Sequence, residues 1–163
     1  MAIKNGLLSE LSHEKNNTLK VLNNLKGADF TFKPHVKSMS LGQLTNHVVE
    51  LHNWVALALQ QDVFDFHTDY TPSTLADADA LIQVLESGYV QNKALIEAMD
   101  EADYFKEWTL KAGDHIIATL PKAGALRYII NNHLIHHRGQ LTVYMRLLDI
   151  PVPGLYGPSA DDK

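Results

Sequence analysis

Residues 126–144, LRYIINNHLIHHRGQLTVY, hold the pattern on which the fold turns. Leu126, Ile130, His133, His137, then Gln140 or Leu141, and Tyr144 follow one another at alternating four- and three-residue steps, the spacing of one face of an amphipathic helix. Two positions of that inward seam are imidazoles. His133 and His137, at i and i+4, stand about 40° apart around the helix and one turn apart along it, so both rings reach one point. His136 lies about 100° round from His137 and does not easily join them.

Working outward, Pro121 suits a first helical turn, and the helix it opens runs to about Asp149. The tail from Ile150, IPVPGLYGPSADDK, holds three prolines and two glycines and reads as loop. On the other side, WTLKAGDHIIATL (108–120) breaks the helical period. Two short apolar runs flank Ala112-Gly113-Asp114, which predicts a small β-hairpin before the last helix. TPSTLADADALIQVL (71–85) starts an earlier helix, capped by Ser73 or Thr74 and continuing to about Ala102, with Gly88 as a weak point. Ser40 and Gln43 fit a capping box for a helix reaching about Gln61. Leu7, Leu8, Leu11, Leu19, Leu22 and Leu25 predict a first helix over 3–26, with Gly27 as its stop. Four such helices bury their stripes by packing as an all-α bundle, and the link over 62–73 leaves room for a crossover. The length implies one domain, residues 1–163, burying about 70% of its unfolded surface.

The second helix repeats the anomaly of the last. Its seam reads Leu44, His47, Leu51, Trp54, Ala58, so His47 also points inward. Two histidines from one helix and one from another give a three-nitrogen site with an open fourth position, the composition of catalytic rather than structural zinc. Imidazole also suits nickel and iron, so the divalent metal is left open among Zn, Ni and Fe. The alternative is three hydrogen-bonded core histidines. Each would cost about 1–3 kcal/mol if unpartnered, a cost that a shared ion removes at once.

His13, His35, His52, His67 and His115 fall at expected surface or loop positions, and His52 points about 140° away from His47. Glu50, one turn beyond His47, is open as a partner of that ring, a base, or a solvated carboxylate. Arg138 and Gln140 are explained equally by hydrogen bonding on the helix surface and by chemistry. No nucleophile–base arrangement or phosphate-cradling loop is seen, so no catalytic residue is assigned.

Composition excludes several classes. With 14 Lys and Arg against 19 Asp and Glu, a formal charge of -5 and no basic run, nucleic acid is not an expected partner. The chain has no Cys, so any thiol chemistry needs a thiol from outside. MAIKNGLLSELSHEK lacks a signal-peptide core, and the longest apolar stretch, WVALAL, is far short of the roughly 20 residues that span a bilayer. A cytoplasmic protein with a small-molecule substrate and no membrane partner is expected.

NHLIHHRGQLTVYMRLLDIPVPGLYGPSADD (132–162) resembles the C-terminal signature of the DinB-like (DinB/YfiT-like) family of bacterial metalloproteins, in which a His-x-x-x-His-Arg-Gly-Gln segment ends the bundle and a Tyr-Gly-Pro tail follows. LGQLTNHVVELHNW (41–54) is similar to that family's second helix with its single ligand histidine. The resemblance covers most of the chain. It implies an antiparallel four-helix bundle with crossover connections, a divalent metal on the positions of His47, His133 and His137, and a homodimer. It also implies kinship with thiol-dependent transferases and isomerases that use a low-molecular-weight thiol as co-substrate. Two functions follow as expectations: a metal-dependent thiol S-transferase acting on small electrophiles, or a non-enzymatic metal- or small-ligand-binding stress protein with a structural metal site.

Overall fold

The computed structural model describes residues 3–162, and they are mostly helical. Helix α1 spans Ile3–Asn24 and α2 spans Leu41–Gln60. Strand β1 is Val63–Asp65, helix α3 is Ala78–Ala98, and a 3-10 turn follows at Glu101–Phe105. Strands β2 (Glu107–Ala112) and β3 (His115–Pro121) then form a hairpin. The last long helix changes register along its length. It opens with one α-turn, α4 (Lys122–Gly124), winds as a π-helix at Ala125–Asn131, and returns to α geometry as α5 (Asn132–Leu147).

The local signals act as expected at most ends. Ser40 accepts from Gln43 N while Gln43 reaches back to Ser40 N, closing the capping box of α2. Gly27, at φ +77°, takes the left-handed conformation that lets the chain leave α1. Helix α3 starts later than the sequence suggested. Asp77, rather than Ser73 or Thr74, caps it by accepting from Ala80 N at 2.8 Å, because Ser73 is taken up by Asn46 and Glu50 of α2. The helix also stops at Ala98, short of Ala102.

Helix α1 packs on α3, and α2 packs on both α3 and α5, so α2 lies centrally with Leu44, Leu51, Trp54 and Ala58 buried. Fully burying side chains such as Leu22, Leu51 and Leu85 contributes roughly 1.5–3 kcal/mol each. Beside the expected helices and hairpin lies one further strand, which makes a small sheet of order β1-β2-β3. The predicted hairpin is present, turning at Gly113 (φ +61°). The link after α2 is not plain loop: Val63, Phe64 and Asp65 pair parallel with Thr109, Leu110 and Lys111. Phe64, Trp108 and Leu110 carry the sheet's buried face, with Phe64 against Trp54. No helix among the described residues is long and apolar enough to cross a membrane.

Candidate metal centre

His47 on α2 and His133 and His137 on α5 come together at the edge of the core. The Nε2 atoms of His47 and His133 are 3.4 Å apart, and those of His133 and His137 are 2.8 Å apart. The three rings lie on the face that helical phase predicts, but they are half-buried and open to clefts rather than sealed in the seam. Among the described residues these three form the one group of metal-binding side chains whose ligand atoms all lie within 4.8 Å of one another. His136 is exposed and bonds to Gln140 instead.

The second nitrogen of each ring explains why the first is free. His47 Nδ1 donates to Glu50 Oε2 at 3.3 Å, and His137 Nδ1 donates to Gln140 Oε1 at 2.7 Å. His133 bonds to the backbone of Ile129, one turn earlier. These partners assign the ring protons to the far side, so three Nε2 lone pairs face one another. Lone pairs at such separations repel unless a cation lies among them. The donor set thus fits a divalent ion.

Burial, followed by the neighbouring imidazoles, pushes His133 down to about 4. Burial also lowers His137, although its bond to Gln140 opposes the shift. Both rings are therefore neutral at neutral pH, the form that coordinates metal.

Glu50 is not a solvated carboxylate. Its side chain is 13% exposed, and besides His47 it accepts from Tyr70 Oη at 2.7 Å and from Ser73 N. Burial raises Glu50, but those three hydrogen bonds outweigh it and hold the carboxyl below its usual range. Burial and the Glu50 carboxylate push Tyr70 well above the usual phenol value. Tyr70 and Ser73 went unrecognised in the sequence because they lie in the link before α3, where no periodicity marks them.

Two further corrections concern residues expected on the surface. His52 is buried, with Nε2 2.8 Å from Thr18 Oγ1, and burial together with Arg138 pushes it down to about 3. Arg138 is also buried, paired with Glu14 of α1. His13, His35, His67 and His115 are exposed as expected, His13 lying beside Tyr156.

Three clefts meet the histidines. His137 lines one of about 400 Å³ with Met39, Leu44, Val143 and Tyr144. His47 and Glu50 line a second of about 360 Å³ with Tyr70 and Pro72. His133 lines a third of about 370 Å³ with Trp54, Phe66, Ile117 and Tyr128.

A family model described as the DinB family matches residues 1–163. The chain belongs to the DinB family. Its relatives include the uncharacterized protein YrdA of Bacillus subtilis (strain 168), 27% identical over an alignment of 161 positions that covers 95% of this chain and 89% of that protein. Among solved structures, a DinB-like protein from Bacillus cereus ATCC 10987 superposes with a TM-score of 0.72 at 23% identity, covering 93% of this chain and 97% of that one. A DinB-like protein from Bacillus subtilis superposes with a TM-score of 0.70 at 19% identity, covering 94% and 99%. These two likenesses show the fold of this DinB-family chain.

Proposed function

We propose that this DinB-family protein holds a divalent metal on His47, His133 and His137 and uses it to activate a small external thiol against a small electrophile. The observation that carries the proposal is the convergence of three Nε2 atoms whose rings each line a cleft. No fourth protein ligand joins the group among the described residues. That favours the enzyme over a sealed, structural site.

When bound, the ion supplies the positive charge that lowers the pKa of a coordinated thiol toward neutrality. In the overall transfer an S–C bond forms, the bond from that carbon to its leaving group breaks, and the thiol proton departs with the leaving group. The chain's residues bind and orient. Glu50 holds His47 by Nδ1, and Gln140 holds His137 in the same way. Trp54 and Phe66 shield the His133 side from water. No Lys or Arg lines the three clefts, so an uncharged, apolar electrophile fits them best. The absence of Cys means that no internal thiol competes for the site.

We read the long helices as an antiparallel bundle with crossover connections, supported by the packing of α2 on α3 and α5. A homodimer formed through helix faces is proposed as well, supported by exposed Val143 and Leu147 on α5; light scattering that finds a monomer at micromolar concentration would remove it.

The deciding experiment is a titration of cobalt-loaded protein with small thiols, followed by assay of thiol consumption with a generic electrophile. A change in the visible spectrum and accelerated consumption are expected. An unchanged spectrum with every physiological thiol would leave a metal-binding protein instead.

A further inference from the structure

The His-Arg-Gly-Gln segment contains one residue that the metal site does not use, and so does the Tyr-Gly-Pro tail. The structure brings the two together. Arg138 is 1% exposed, and its guanidinium has four partners. Nη1 donates to Glu14 O at 2.9 Å and to Thr18 Oγ1 at 3.0 Å. Nη2 donates to Glu14 Oε2 and to Tyr156 Oη. Tyr156 in turn donates to Glu14 Oε2 at 2.6 Å, which closes the ring of contacts. Because Thr18 Oγ1 accepts from Arg138, its own hydrogen is free for His52 Nε2, 2.8 Å away on α2. One connected network thus joins the tail, α5, α1 and α2, and it includes both helices that carry the three histidines.

We infer that Arg138, latched by Tyr156, is the positioning residue that sets the rotation of α5 and so aims His133 and His137 at His47. The inference rests on the metal reading of the three histidines. A planar guanidinium with acceptors on both nitrogens fits one placement only, unlike a lysine ammonium. Arg138 follows His137 directly, so it points about 100° round the same helix toward α1. A rotation of α5 by about 10° carries a ring nitrogen roughly 7 Å from the axis through about 1 Å, beyond the roughly 0.5 Å that a working site tolerates. Tyr156 is 59% exposed, so its ring adds little burial and its hydroxyl carries the contact.

The test is Tyr156→Phe, which removes the hydroxyl and keeps the ring beside His13, compared with Asp161→Asn. Asp161 also ties down the tail, through Arg146 and Val152 N, without touching Arg138. Zinc affinity is measured by competition with a chromophoric chelator. Imidazole resonances of His133 and His137 are followed by NMR in metal-free protein. Tyr156→Phe is expected to lower zinc affinity about tenfold and to shift both sets of resonances, with Asp161→Asn within about twofold of the parent. Unmoved resonances with unchanged affinity, or an equal effect of Asp161→Asn, would overturn the inference. If the parent protein takes up no zinc, the metal reading fails, and the metal-free resonances alone decide the latch.

Discussion

Replacing Glu50 with Gln keeps the shape of the side chain and removes its charge, and the hydrogen bonds around it give the expected cost. The carboxylate accepts from His47 Nδ1 and Tyr70 Oη on Oε2, and from Ser73 N on Oε1. A glutamine has one oxygen and one NH2 for these donors. If its oxygen faces Ser73, the NH2 faces His47, which then accepts on Nδ1 and carries its proton on Nε2, where it cannot coordinate. If its oxygen faces His47, the Ser73 N–H meets another donor. Either arrangement leaves a mostly buried group unpaired, at about 1–3 kcal/mol. Because the favourable form must be restored for binding, metal affinity is expected to fall about 10- to 100-fold. Competition titration with a chromophoric chelator measures it, and circular dichroism confirms that the variant is folded. An affinity within about twofold of the parent would refute the claim that Glu50 sets the tautomer of His47.

His47→Ala, His133→Ala and His137→Ala are each expected to abolish stoichiometric binding of zinc in calorimetry, while His136→Ala keeps it, because His136 faces solvent. The second concerns acid. His52 is held at about 3 in the fold, against about 6.5 in the unfolded chain, so between those values the unfolded state binds more protons and stability falls as pH falls. With chelator present, urea unfolding should show a decline of up to about 1.4 kcal/mol per pH unit from this group, with His133 and His137 adding in the same direction, and His52→Gln should reduce the slope. A flat profile over that range would count against buried, neutral imidazoles. Lastly, Gly27→Ala meets no atom within 4 Å, so its cost is the left-handed backbone alone. About 1 kcal/mol of stability should be lost in urea unfolding, and no loss would contradict the φ of +77°.

The three clustered histidines were legible because helical phase is local. His133 and His137 are one turn apart, and Leu44, Leu51 and Trp54 fix the inward face on which His47 lies. The capping box at Ser40 was legible for the same reason. What failed depends on partners distant in sequence. Arg138 and His52 read as surface residues because nothing nearby neutralises or satisfies them; Glu14 lies 124 positions from Arg138, and Thr18 lies 34 from His52. Strand β1 is three residues long, too short for alternation to register, and its pairing partner begins more than forty positions later. The start of α3 was misplaced because Ser73, a good cap by type, is recruited by Asn46 and Glu50.

The π-wound stretch Ala125–Asn131 gives the last helix a sensitivity to its winding that its composition does not reveal. A π segment amounts to a residue accommodated within an α-helix, so a single-codon deletion there can be absorbed by reverting to ordinary α winding, with the helix itself intact. Everything downstream then keeps nearly its old facing, whereas returning the stretch to α winding at full length turns it by about 100°. His133 and His137 leave His47, and Arg138 leaves Glu14, although no codon for any of them has changed. Such a descendant would keep every signature residue in an alignment and still be a metal-silent paralogue, with no gap to tell it from its parent.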